Sequence, residues 1–152
     1  MMANNQSVKE TPEELRHTDE QHNQETTHKE EKDTQKTVKL IVKRQDNQEA
    51  KSYEETFEIP YKENLNVIAC LMEIRRNPVN SKGEKTTPVV WDMNCLEEVC
   101  GACSMVINGR ARQACSAIVD QLEQPIRLEP MSTFPVIRDL QVDRTRMFDN
   151  LK

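Results

Sequence analysis

The sequence has few glycines, few aromatic residues and no long apolar run, and each shortage excludes a class of function. Three glycines in 152 residues leave no glycine-rich loop that could cradle a nucleotide phosphate. The longest apolar run covers residues 67–72, whereas a membrane-spanning helix needs about 20 residues, so no direct membrane span is expected. The opening residues lack the apolar stretch of a secretory signal. All three histidines lie within residues 1–36, so no Ser-His-Asp triad is expected in the remainder.

The charge of the chain is negative and unevenly distributed. A net charge of −5 argues against nucleic acid as the partner. Residues 1–36 carry nine acidic side chains, five basic ones and only five apolar residues. Such a segment cannot bury enough surface to offset the entropy lost on folding, so a disordered polar tail is predicted there. The spacing of His17, His22 and His28 suits neither one helix face nor a compact loop, and no metal site is expected among them.

From Thr37 onward, the patterns predict a small α+β domain. Apolar and polar residues alternate over residues 38–42 and again over residues 53–59. This period of two is typical of half-buried strands, and the polar connection between them predicts a hairpin.

A helix is predicted after this hairpin. Residues 67–72 place apolar side chains at helical spacing, with Asn64 or Asn66 available as the N-cap and Pro78 to stop the helix. Cys70 falls inside this helix and is interpreted as a small core hydrophobe.

Further strands are predicted in the second half of the chain. Residues 89–91 indicate a short buried strand, and residues 126–128 indicate another between two prolines. Residues 104–113 predict a hairpin about Asn108 and Gly109, because a type I′ turn needs positive φ at both central residues.

Four of the five cysteines form one constellation, with the spacing C-x4-C-x2-C-x11-C. They are Cys95, Cys100, Cys103 and Cys115. The opening C-x4-C-x2-C is typical of plant-type [2Fe–2S] proteins, whose cluster needs four thiolates. Three cysteines within nine residues can converge on a cluster only from an irregular loop, since a helix or strand would point them apart. The hairpin about Asn108 would bring the fourth cysteine back to them.

Two other uses of these cysteines remain as alternatives. Structural zinc also takes four cysteines, but usually as paired C-x2-C knuckles, and only one such pair is present. A thiol–disulfide motif would use Cys100 and Cys103 and leave the other two unexplained. Glu97 and Glu98, inside the loop, are interpreted as solvated surface charge. Their alternative role is to lower the reduction potential of a cluster.

Several segments resemble the iron–sulfur subunit of succinate dehydrogenase and fumarate reductase, particularly of Bacillus-like bacteria. These segments are residues 72–76 (MEIRR), 91–95 (WDMNC), 99–105 (VCGACSM), 107–109 (ING), 114–115 (AC), 127–130 (RLEP) and 135–140 (PVIRDL). The similarity covers the chain from about Thr37 to Lys152.

The resemblance implies a β-grasp, [2Fe–2S] ferredoxin-type domain over residues 37–130, with Cys95, Cys100, Cys103 and Cys115 as the cluster ligands. It also implies an oxidoreductase subunit that passes electrons between a flavoprotein subunit and quinone at a membrane-anchor cytochrome b subunit. The expected location is cytoplasmic, peripheral on the inner face of the cell membrane. No substrate-oxidising site is expected in this chain itself.

Two departures from this family are expected to matter. Many relatives carry Arg and Gly where this chain has Leu96 and Glu98, which bears on the loop's backbone conformation. The family also continues into a helical domain that holds [3Fe–4S] and [4Fe–4S] clusters. Residues 131–152 are therefore expected to be a linker and the first helix, from about Asp143, leading toward that domain in a partial chain.

The [2Fe–2S] domain of a molybdenum hydroxylase is an alternative, because it shares the cysteine spacing. It typically approaches the first cysteine through a glycine-richer segment, whereas residues 89–94 contain no glycine. This difference favours the succinate dehydrogenase family.

Overall fold

The computed structural model describes residues 36–149. The predicted polar tail, with its three histidines, and the last three residues therefore lie outside the described residues, Lys36 excepted. The elements in chain order are β1 (Thr37–Arg44), β2 (Tyr53–Pro60), α1 (Val67–Arg76), β3 (Ser104–Ile107), β4 (Arg110–Gln113), a 3-10 turn (Val119–Gln121), β5 (Ile126–Glu129), β6 (Val136–Arg138), β7 (Gln141–Val142) and α2 (Thr145–Asp149).

Five strands form one mixed sheet in the order β2-β1-β5-β3-β4. The central strand β5 runs parallel to β1 and antiparallel to β3, and each outer pair is an antiparallel hairpin. The buried residues of α1 join those of the strands in a single hydrophobic core. This is the predicted α+β, β-grasp arrangement of a ferredoxin-like fold.

The alternation of side chains in β1 determines which face of the sheet carries the core. Val38, Leu40 and Val42 are fully buried, while Lys39 between them is exposed. Because successive side chains of a strand point to opposite faces, this pattern places the apolar set on the core side. The strands predicted at residues 38–42 and 53–59 are confirmed.

Helix α1 begins and ends at residues suited to those positions. The Asn66 side chain accepts a hydrogen bond from Ala69 N at 2.8 Å and so satisfies one free donor of the first turn. Arg75 and Arg76 lie in the last turn, where positive charge suits the helix dipole. Cys70 is fully buried, as its interpretation as a core residue requires.

The hairpin between β3 and β4 has the predicted turn. Asn108 has φ 48° and Gly109 has φ 76°, so both central residues adopt the left-handed conformation. The Asn108 side chain also accepts from Arg127 N at 2.7 Å and donates to the Glu123 carbonyl at 2.8 Å. The turn is thereby fastened to the segment that leads into β5.

The strand predicted at residues 89–91 is wrong. Val89 is buried, but this segment joins no sheet. The Val90 N–H donates to the Asp139 carboxylate at 3.0 Å, and the Val90 carbonyl accepts from Leu140 N at 3.1 Å. The backbone groups of Val90 are satisfied by a carboxylate and one distant amide rather than by a neighbouring strand.

The chain returns to the domain after β5. Strands β6 and β7 pair with each other, and Asp139 between them reaches the core. The Arg44 and Asp139 side chains are both fully buried and form an ion pair, with Arg44 Nε 2.9 Å from Asp139 Oδ1. Helix α2 starts at Thr145, slightly later than expected, and the Asp143 side chain accepts from Thr145 N at 2.8 Å just before it.

Candidate metal centre

Residues 95–103 form an irregular loop that leads into β3, as the cysteine spacing predicts. Leu96, Glu98 and Gly101 have φ values of 61°, 60° and 71°, so three of its residues are left-handed. Each left-handed residue reverses the local direction of the backbone and keeps the loop from continuing as a helix or strand. Glu98 adopts this conformation although it is not a glycine.

The backbone of this loop points N–H groups at two of the cysteine sulfurs. Cys95 Sγ accepts from Glu97 N at 3.4 Å and from Cys100 N at 3.3 Å. Cys100 Sγ accepts from Cys95 N at 3.5 Å and from Ala102 N at 3.4 Å. Such donors favour negative charge on sulfur, which is the state that binds metal.

The other two cysteines lie deeper in the fold. Cys103 and Cys115 are 3% and 7% exposed, whereas Cys100 is exposed and Cys95 is intermediate. The β3–β4 hairpin brings Cys115 back beside Cys103, and Ala114 N donates to the Cys103 carbonyl at 3.2 Å. The Asn66 side chain holds the Cys115 carbonyl at 2.9 Å. The site therefore has a buried side and a side open to solvent.

The pKa values of Cys95 and Cys115 are shifted in opposite directions. Hydrogen bonds from the backbone, first that of Glu97 and then that of Cys100, lower the pKa of the Cys95 thiol to about 7. Burial, followed by a hydrogen bond with the Cys103 side chain, raises the pKa of the Cys115 thiol. Burial raises the pKa of Cys70 in α1 to about 12, which sets this fifth cysteine apart from the loop.

The donor set fits a two-iron cluster by its chemistry. Four sulfur ligands are the set that a [2Fe–2S] cluster requires, and amide donors to those sulfurs are a usual part of its surroundings. Within residues 36–149, no group of three or more His, Cys, Asp or Glu side chains is arranged to hold a single metal ion. A two-iron cluster asks for a different arrangement, because each iron takes only two of the four thiolates.

Two side chains outside the cysteine motif also bind this loop. Arg144, just before α2, donates to the loop carbonyls of Gly101 at 2.9 Å and Ala102 at 2.8 Å, and to that of Ser104, the first residue of β3, at 3.3 Å. Gln113 Nε2 donates to the Glu98 carbonyl at 3.4 Å. Sequence reasoning missed both residues, since neither belongs to a recognisable motif.

Comparison with known proteins identifies the family of this chain. Residues 39–149 match the family described as "2Fe-2S iron-sulfur cluster binding domain". The chain belongs to this family. The [2Fe–2S] cofactor predicted from the cysteine spacing is the one that names the family.

Curated relatives show which proteins of this family the chain resembles. The succinate dehydrogenase iron–sulfur subunit of Bacillus subtilis is 75% identical over 118 residues, which cover 78% of this chain and 47% of that protein. The fumarate reductase iron–sulfur subunit of Haemophilus influenzae is 28% identical over 97 residues, covering 64% of this chain and 35% of that protein. The chain thus spans about half the length, or less, of these relatives. The predicted resemblance to this group of subunits is confirmed.

A solved structure has a similar fold. A chain of the Mycobacterium smegmatis Sdh1 complex in the apo form superimposes with a TM-score of 0.62 at 26% identity. The superposition covers 77% of this chain and 46% of that one. None of the helices between residues 36 and 149 has the length and apolar character needed to cross a bilayer.

Proposed function

We propose that Cys95, Cys100, Cys103 and Cys115 bind one [2Fe–2S] cluster and that the chain transfers single electrons in a complex of the succinate dehydrogenase or fumarate reductase type. The observation that carries this proposal is the loop itself, which directs four N–H···S contacts at Cys95 and Cys100. The buried pair of cysteines completes the donor set from the opposite side.

The residues of the loop have separable tasks in this function. When bound, the cluster supplies one-electron redox chemistry. The backbone N–H groups offset negative charge on the sulfurs, while Cys103 and Cys115 exclude water from one side. On the other side, Leu96 and Val99 are 41% and 81% exposed, so they present apolar surface to an electron-transfer partner.

The wider context of the proposal rests on the relatives. In it, a flavoprotein subunit oxidises the substrate, and electrons pass toward quinone at a membrane-anchor cytochrome b subunit. The chain then lies on the inner face of the cell membrane as a peripheral subunit. Support comes from the 75% identity with the Bacillus subtilis succinate dehydrogenase iron–sulfur subunit.

The proposal also divides the chain. Residues 37–130 form the cluster domain, residues 131–152 are a linker and first helix toward a further helical domain, and residues 1–36 are a polar tail. It assigns one cluster to this chain, and any [3Fe–4S] or [4Fe–4S] cluster to the C-terminal domain that the resemblance implies.

Iron and sulfide analysis of the reconstituted chain, with visible absorption and EPR of the reduced state, tests the proposal. We expect two irons and two sulfides per chain and a brown protein with a reduced-state EPR signal. Cys115→Ser should abolish or strongly perturb that signal. Cys70→Ala is the matched control, because it removes a buried thiol outside the loop and should leave the signal unchanged.

Two results would contradict the proposal. A colourless protein that retains zinc would make the site a structural zinc centre. An unaltered spectrum in Cys115→Ser would remove this residue from the ligand set.

A further inference from the structure

Arg144 joins the C-terminal segment to the cysteine loop. It lies between β7 and α2, and its guanidinium is half-buried against the loop. Nη1 donates to the Gly101 carbonyl, and Nη2 donates to the Ala102 and Ser104 carbonyls. One planar fork therefore holds three carbonyl oxygens around Cys103, a geometry that suits guanidinium and not ammonium.

One of these contacts reaches a cysteine sulfur through a single peptide group. The Gly101 carbonyl and the Ala102 N–H belong to the same peptide unit. Because the unit is planar and trans, the carbonyl and the N–H point in opposite directions. Arg144 binds the carbonyl at 2.9 Å, and the N–H points at Cys100 Sγ at 3.4 Å. Arg144 thus orients a donor to a sulfur that it does not touch.

The guanidinium also brings a permanent positive charge to the loop. Arginine side chains keep their charge in proteins. The contacts to the loop are carbonyl dipoles, which orient toward the charge without cancelling it. Glu97 and Glu98 contribute the opposite sign on the exposed side of the same loop.

We propose that Arg144 is a positioning residue for the cluster, which orients the Gly101–Ala102 peptide toward Cys100 and favours the reduced state. This inference rests on the proposed binding of a [2Fe–2S] cluster by the four cysteines. Reduction adds negative charge, so an oriented N–H donor and a nearby cation both stabilise the reduced form. Removing either one lowers the reduction potential.

Redox titration monitored by EPR, on the reconstituted 152-residue chain, tests the inference with three variants. Arg144→Gln removes both the charge and the planar guanidinium. Arg144→Lys keeps the charge but offers a single nitrogen in place of the two that bind the carbonyls. Arg146→Gln is the matched control, because Arg146 lies two residues away, is exposed, and contacts Phe134 and the Thr133 carbonyl instead of the loop. Iron content and circular dichroism are measured on each variant.

For Arg144→Gln we expect the ratio of reduced to oxidised chain at a fixed potential to fall about tenfold, which is about 59 mV for a one-electron couple. Arg144→Lys should give a smaller fall and altered EPR g values, and Arg146→Gln should match the wild type. Should Arg144→Gln fail to fold, the comparison of Arg144→Lys with Arg146→Gln carries the test alone.

The failures are distinguishable. A wild-type chain that binds no iron–sulfur cluster overturns the proposed function and this inference together. A wild-type chain that binds the cluster, with Arg144→Lys equal to it in potential and g values, overturns the positioning role alone.

Discussion

Arg44 and Asp139 form a fully buried ion pair that joins the first strand of the sheet to the turn between β6 and β7. Asp139 Oδ1 accepts from Arg44 Nε at 2.9 Å and from Gln45 N at 3.1 Å, and Oδ2 accepts from Val90 N at 3.0 Å. The same carboxylate therefore holds β1 and the segment that precedes the cysteine loop.

Asp139→Asn should lower the free energy of unfolding by about 2–3 kcal/mol, because the buried charge of Arg44 then keeps only Glu55 as an anionic partner. Asparagine adopts the left-handed conformation at least as readily as aspartate, so the φ of 49° at this position is preserved. Urea unfolding followed by the fluorescence of Trp91 measures the change. The control is Glu54→Gln, which breaks the exposed Arg127–Glu54 pair and should cost less than about 1 kcal/mol. Equal losses in both variants would contradict the role of burial.

Glu98→Gly should leave the free energy of unfolding unchanged or raise it by about 1 kcal/mol. A non-glycine residue in the left-handed conformation costs about 1–2 kcal/mol, and glycine would relieve this strain at the φ of 60° found here. Glycine also loses more conformational entropy on folding, which costs about 0.5–1 kcal/mol. Glu97→Gly loses the same charge at a residue without positive φ and should be destabilising. Unfolding of the cluster-free chain compares the two. If Glu98→Gly is the less stable variant, the strain argument fails.

Two substitutions at Asn108 distinguish the contribution of its side-chain hydrogen bonds from that of its left-handed backbone conformation. Asn108→Gly keeps the turn conformation but removes the side-chain bonds to Arg127 N and the Glu123 carbonyl, at a cost of about 1–2 kcal/mol. Asn108→Ala adds left-handed strain and should cost about 1–2 kcal/mol more. Thermal or urea unfolding of the two variants gives both values. Identical stabilities would mean that the backbone conformation contributes nothing.

Cys70 should resist alkylation in the folded chain. It is fully buried and its pKa is raised to about 12 by burial, so at pH 8 only about one thiol in ten thousand is ionised. In the cluster-free chain, iodoacetamide should label the exposed Cys100 much faster than it labels Cys70. Peptide mapping by mass spectrometry reads both sites, with urea-unfolded protein as the reference in which both react. Labelling of Cys70 at the rate of Cys100 would show that the helix opens readily.

Local patterns predicted much of this fold because the relevant forces act over a few residues. Alternation placed β1 correctly, and the Asn108–Gly109 pair identified its hairpin through the φ requirement of the turn. The apolar triplet at residues 89–91 gave a wrong strand prediction, because the backbone partners of Val90 are Asp139 and Leu140, about fifty residues away. No local signal could have indicated those partners.

In the candidate site, too, the features set by local sequence could be predicted and those set by distant residues could not. Cysteine spacing predicts a cluster loop, and the structure gives that loop its N–H donors to sulfur. The contribution of Arg144 could not be predicted, since it depends on a side chain reaching carbonyls some forty residues back along the chain. The assignment of the four ligands stays a prediction that the spectroscopic experiment addresses.

The position of β5 has a consequence for how the chain is made. The two hairpins of the sheet can each form from neighbouring residues, but only β5 joins them, and it is the last strand of the sheet to leave the ribosome. Until Ile126–Glu129 emerges, β1 and β3 have no common neighbour, and long-range pairing of this kind slows folding. The cysteine loop, which leads into β3, is therefore complete in sequence before its scaffold exists. During synthesis, Cys103 and Cys115 therefore emerge before the sheet that buries them has closed.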